Sequence, residues 1–167
     1  MMRILGLDPG LQRTGWGVID SDGFHLKGIA AGVIATAAGQ ETALRLAHIH
    51  QELQKIIIQY KPEMAAVEET FVNQNPASAL KLGLARGIVL MTPALLGLPV
   101  GEYNANHIKK AVAGAGHAGK GQVQFMIKRL LPNLNFTGAD AADALAVAIC
   151  HAHHQSSLAY RKARIVS

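Results

Sequence analysis

From residue 3 to residue 36 the chain alternates short apolar runs with tight turns, and this commits its start to a meander of antiparallel strands. Residues 3–8 (RILGLD) form an apolar run that stops at Asp8-Pro9-Gly10, a strand followed by a turn. Residues 14–20 (TGWGVID) read as a second strand, Ser21-Asp22-Gly23 as a hairpin turn, and residues 24–36 as a third strand. The period then changes. Leu44, Ala47, Ile49, Leu53, Ile56 and Ile57 recur at helical spacing within 41–60. Residues 63–68 (EMAAVE) read as a buried strand and 70–75 as a loop, and Asn75-Pro76 opens a long helix with proline in its first turn. A fifth strand is expected at 98–103. The Gly-rich segment 114–121 reads as a loop, 122–131 as a helix stopped by Pro132, and a last helix is expected from about 138 to 154. The order βββ-α-β-α-β-α-α predicts an α/β fold, a mixed sheet with helices on its faces.

The 167 residues, half of them hydrophobic, suffice for one domain with a sizeable core, and the mean hydropathy of +0.19 excludes a disordered chain. The longest apolar stretch, 88–98, contains Thr92 and Pro93 and is too short to span a bilayer; the N-terminus has no signal-peptide core. A single cysteine, Cys150, excludes a disulfide framework and a four-cysteine zinc site and fits a reducing, cytoplasmic setting. Charge is uneven. Residues 1–80 carry 6 basic and 8 acidic side chains, whereas residues 81–167 carry 10 basic and only 3 acidic ones. A basic half points to a polyanionic partner, and the informative question is where the few acids sit.

Asp8 ends the first strand and Glu68 the fourth. If those strands are parallel neighbours, both carboxylates emerge at the carboxyl edge where open α/β sheets bind ligands. Asp140 and Asp143, three apart, share one face of the last helix. Simpler roles exist for three of them: Asp8 as a turn former, Glu68 as a surface acid like its neighbour Glu69, and Asp140 as the third helical residue of a capping box opened by Thr137. Asp143 lies inside the Ala-rich segment ADAADALAVAI, where a lone buried carboxylate would be costly. Gathered in one cleft, such carboxylates repel; divalent cations reverse that penalty, and Mg²⁺ prefers oxygen ligands and bridges to phosphates. Up to two such ions, about 4 Å apart, would clamp the attacking and leaving oxygens of a phosphoryl displacement.

Four ordered motifs make this specific. ILGLDPG followed by TGWGVI, then AVEE, then SALKLGLARG, then DAADALAVAI closely resemble the RuvC family, the bacterial crossover-junction endodeoxyribonucleases of the ribonuclease H-like superfamily. The resemblance covers roughly residues 3 to 154, which sets a nuclease domain at 1–155 and leaves a basic, mobile tail at 156–167. It implies a five-stranded sheet flanked by helices, a homodimer, and Mg²⁺-dependent cleavage (with Mn²⁺ as a substitute) of four-way Holliday junctions. The implied products are symmetric nicks in two strands of like polarity with 5′-phosphate and 3′-hydroxyl ends, made in partnership with the RuvA–RuvB branch-migration complex. It assigns the catalytic, metal-binding carboxylates to Asp8, Glu68, Asp140 and Asp143, and places Lys109 and Lys120 near the scissile phosphate. Independently, Lys120 stands in a Gly-rich segment where backbone can approach a phosphate. Phe71, in a polar loop after the Glu68 strand, is placed to stack on an unpaired base. Ala79, Gly83 and Gly87 recur every four residues on the long helix; they suit close backbone approach, either within the chain or, with the family dimer in view, across its twofold axis.

Two other patterns lead away from this reading. Residues 114–120 satisfy G-x-x-x-x-G-K, but Gly121 stands where a P-loop needs Ser or Thr, and the residues before it read as a helix, not a strand. His151, His153 and His154 suggest a metal cluster, yet no third ligand matches the i, i+3 pair, and a partly exposed helix end is the expectation. The competing classes are a non-catalytic junction-binding module, an actin-like ATPase (whose two domains exceed this chain's length) and a ribonuclease H-like enzyme acting on RNA.

Overall fold

The computed structural model describes residues 1–70 and 75–166, with side chains as far as Ala159. Among the described residues the elements are β1 (Met2–Asp8), β2 (Arg13–Ser21), β3 (Leu26–Ala35), α1 (Thr42–Tyr60), β4 (Met64–Glu69), α2 (Pro76–Leu95), β5 (Val100–Asn104), α3 (Ala105–Ala113), α4 (Lys120–Leu130) and α5 (Ala139–Val166). They build one five-stranded sheet in the order β3-β2-β1-β4-β5. The β1–β2 and β2–β3 pairs are antiparallel, and the β1–β4 and β4–β5 pairs are parallel. The expected meander followed by parallel crossover strands is therefore present.

Three local expectations need correction. A helix, α3, stands between β5 and the Gly-rich segment: Asn104 caps it, its Oδ1 accepting from the His107 amide at 2.9 Å, and Gly114 ends it at φ 79°. Lys120 is not a loop residue, because Gly119 is the N-cap and Lys120 opens α4. The last helix does not stop near His154 but continues to Val166.

Strand alternation divides the core in two. Ile4, Ile19, Ala66 and Tyr103 pack with Ile108, Val112, Val123, Ile127, Leu145 and Ile149 beneath α3, α4 and α5. Leu5, Leu7, Val18, Ala65 and Val67 pack with Ile49, Leu53, Ile56, Ile57, Ala85 and Val89 beneath α1 and α2. On the first face α5 lies directly on the sheet. A Cβ on Gly6 of β1 would overlap the Ala144 carbonyl, and one on Gly15 of β2 the Asp140 carbonyl. The helix answers these glycines with buried Ala141, Ala142, Ala144, Ala146 and Ala148. The Ala-rich composition is thus the condition for close helix–sheet approach, and it brings Asp140 and Asp143 to the sheet edge.

On the other face, Asn75 caps α2 by accepting from the amides of Ala77 and Ser78. The helix ends at Leu95, two residues after Pro93. In length and composition α2 is long and apolar enough to cross a membrane; here Ala85, Val89, Thr92 and Pro93 face inward, while Leu80, Leu84, Met91 and Leu95 lie exposed.

Candidate active site

Asp8 is the last residue of β1, and Glu68 stands next to the last of β4. The two strands run parallel in register as far as Leu7–Val67, so the two acids occupy the next position on each. Both fall on the face that α5 covers, in phase with Ile4 and Gly6 on β1 and with Ala66 on β4. The turn after Asp8 is held by Thr14, whose buried hydroxyl donates to the Gly10 carbonyl at 2.7 Å and accepts from the Gly10 amide at 3.4 Å.

Asp8, Glu68 and Asp143 line one cavity of about 290 Å³ with Lys109, Lys120 and Thr70, against an apolar wall of Ala105, Ile108, Val123 and Ala146. Each carboxyl is pushed above its ordinary range, with burial as the leading cause. For Asp8 the charges of Glu68, Asp143 and Asp140 add to it, as does interaction with the neighbouring Glu68 carboxyl. For Glu68 the charge of Asp143 adds, while the bond from Asp8 and the ammonium groups of Lys109 and Lys120 oppose. For Asp143, Lys120 opposes, Asp140 adds and Lys109 opposes. The cavity therefore holds more negative charge than it can keep dry, a set of oxygen donors that a hard divalent cation suits.

Asp140 does not line this cavity. Its Oδ2 accepts from Arg13 Nε at 2.7 Å, across the start of β2. Nor does it serve in a capping box, because α5 begins at Ala139, after Gly138 at φ 87°, and Thr137 is not the cap. Among the described residues no three Asp, Glu, His or Cys side chains converge as a ready-made metal cluster. The Arg13–Asp140 pair holds the fourth carboxylate apart from the other three.

The structure thus gathers three of the four carboxylates and both lysines, and sets the fourth beside them. Phe71 lies outside the described residues. Ala79 is half-buried, and Gly83 and Gly87 are exposed; among the described residues nothing lies within 4 Å of where a Cβ on either glycine would stand. The expected partial exposure holds for His153 and His154 and is corrected for His151, which is buried, its Nδ1 2.7 Å from the Tyr103 hydroxyl and its Nε2 2.8 Å from Met64 Sδ, and burial holds its pKa down at about 4. Sequence reasoning missed Arg13, Thr14 and Arg86, the last of which bonds the Glu68 carbonyl. No local pattern links 13 with 140 or 86 with 68; only the folded sheet does.

An antiparallel meander extended by two parallel strands, with acids at the carboxyl end of β1 and β4 and on the helix crossing them, defines the ribonuclease H-like class of nucleases. Within it, the family model described as "Crossover junction endodeoxyribonuclease RuvC" matches residues 4–151. The RuvC of Gluconobacter oxydans is 57% identical over 160 residues, covering 96% of this chain and 95% of its own. That of Paramagnetospirillum magneticum is 57% identical over 156 residues, covering 93% and 94%. The structure of Thermus thermophilus RuvC in complex with Holliday junction substrate superposes with a TM-score of 0.89 at 32% identity, covering 94% of this chain and 96% of that one. The chain belongs to the RuvC family of crossover junction endodeoxyribonucleases.

Proposed function

We infer that this protein resolves Holliday junctions by symmetric nicking of two strands of like polarity, leaving 5′-phosphate and 3′-hydroxyl ends. The observation that carries the inference is the juxtaposition of Asp8, Glu68 and Asp143 in one cavity with Lys109 and Lys120. In this reading Asp8, Glu68 and Asp143 hold Mg²⁺, joined by Asp140 once it leaves Arg13. The donor set is all oxygen, its charges repel, and it is only half-exposed, so it fits a hard cation better than it fits water alone. When bound, the ion neutralises the carboxylates and polarises water and phosphate for hydrolysis. The chain's own residues do the rest. Lys120, at the first turn of α4, and Lys109, on α3, present ammonium groups to the phosphate and offset the charge that builds in the transition state. The apolar wall of Ile108, Val123 and Ala146 limits water on one side of the cavity. Phe71 stacks on a base at the branch point.

The active form in this reading is a cytoplasmic homodimer joined through α2. The open face at Gly83 and Gly87, flanked by exposed Leu80, Leu84 and Met91, supports that choice, and a twofold axis relates two sites to two symmetric strands. A labelled four-way junction tests the site: with Mg²⁺ or Mn²⁺ the protein cuts it in paired strands, and Asp8→Asn binds the junction but does not cut. Retained cutting by that variant would overturn the assignment.

A further inference from the structure

Glu68 projects from a strand end that the sheet supports on one side only. The β1–β4 ladder stops at Leu7–Val67, one residue short of it, while the β4–β5 ladder continues through Glu68–Tyr103 to Glu69–Asn104. A third element completes the support. Arg86, on α2, donates from Nη1 to the Glu68 main-chain carbonyl at 2.6 Å, and from Nη2 to the carboxylate of Glu102 on β5. Its side chain is only 19% exposed, at the border between the buried face of α2 (Ala85, Val89) and its open face (Gly83, Gly87). Glu102 stands opposite Val67 in the β4–β5 register, so the planar guanidinium fork spans α2, β4 and β5 at the level where β1 ceases to pair. The acceptor Arg86 takes on β4 is the main chain of the residue whose side chain lines the carboxylate cavity.

We propose that Arg86 is a positioning residue for the reaction: by clamping the Glu68 carbonyl to Glu102 and α2, it fixes the backbone from which the Glu68 carboxylate reaches the cation and the junction. The proposal rests on the reading of Glu68 as a cation ligand. It assigns Arg86 no contact with DNA. Glu102 is its partner in the clamp, and any shift of α2 is felt at Glu68.

The test uses the full-length protein and Arg86→Ala, Arg86→Lys and Glu102→Gln. Binding of Mn²⁺ to the DNA-free protein is followed by the EPR signal of the free ion, and cleavage of a labelled four-way junction is followed under saturating and limiting junction. A misplaced ligand should cost Arg86→Ala at least about tenfold in kcat, leave KM for the junction within about twofold, and weaken Mn²⁺ binding. Arg86→Lys, with a point charge in place of the fork, should recover only part of either loss; Glu102→Gln should shift both in the same direction by less. A merely structural role would lower thermal stability and reduce kcat only in proportion to the folded fraction, with Mn²⁺ affinity per folded molecule unchanged. That result, or a kcat within about twofold of wild type, overturns the proposal. If Arg86→Ala does not fold, Arg86→Lys and Glu102→Gln are judged by the same two readouts. Failure of the wild-type protein to bind Mn²⁺ or to cut the junction would instead refute the underlying site assignment, and the wild-type arm shows it separately.

Discussion

Replacing Asp8 by Asn should make the cation-free protein more stable. Burial, reinforced by the charges of Glu68, Asp143 and Asp140, holds the Asp8 carboxyl protonated up to about 8 in the folded chain, against 3.8 for a free side chain. Between those values the folded state keeps a proton that the unfolded state releases. The folded state therefore binds more protons, and stability falls as pH rises through that window. Each pH unit in the window is worth about 1.4 kcal/mol, so at neutral pH the ceiling is about 4 kcal/mol. Coupling to the Glu68 carboxyl and relaxation of the cavity reduce it, and a gain of about 1–3 kcal/mol is expected for asparagine, which keeps the shape without the charge. In a chain of this length that raises Tm by about 2–4 °C per kcal/mol. The assay is thermal or urea unfolding in EDTA at about pH 4 and about pH 8: the gain should be present at the higher pH and nearly gone at the lower, which lies close to the unfolded pKa of 3.8. Saturating Mg²⁺ should then stabilise wild type more than the variant. An Asn variant no more stable than wild type at the higher pH, or equally advantaged at both, would refute the reasoning.

Gly6→Ala should destabilise by about 1–3 kcal/mol, because its Cβ overlaps the Ala144 carbonyl and pushes α5 off β1; urea unfolding measures the loss, and an unchanged midpoint would contradict the close helix–sheet contact. His151 stays neutral down to about pH 4 in the fold, whereas in the unfolded chain it protonates near 6.5. Its contribution is complete above that value and is lost as pH falls through the window; His151→Gln should flatten this part of the stability profile, seen in unfolding midpoints at stepped pH. In the proposed α2 dimer, Leu84→Glu, which places a charge on the open face of α2, should shift sedimentation from dimer to monomer and leave the circular dichroism spectrum unchanged; a wild-type protein that sediments as a monomer would overturn that dimer.

Most of the strand and helix order was legible because the first third of the chain switches period where it switches structure, and because Asn75-Pro76 marks a helix start by well-understood chemistry. The helix α3 has no place in the expected element order, although the residues before Gly114 read as helical: residues 105–113 are short, with the apolar pair Ile108 and Val112 on one face, and their start depends on a cap, Asn104, that reads equally well as a strand end. The extension of α5 past His154 has no apolar stripe to announce it.

For the site, the sequence by itself determined which acids end strands and which lie in an Ala-rich helix. Asp8 and Glu68 each close an apolar run, and Asp143 sits where an Ala-rich helix has no reason to carry charge. Only the tertiary structure decided their company. Strand register set Asp8 and Glu68 side by side, glycines at 6 and 15 let α5 descend far enough to deliver Asp143, and Arg13 drew Asp140 aside. Arg86 reached Glu68 from another element altogether. Such contacts join residues 18 and 127 positions apart, and their energy depends on where the chain has already been placed, which local periodicity and capping do not encode.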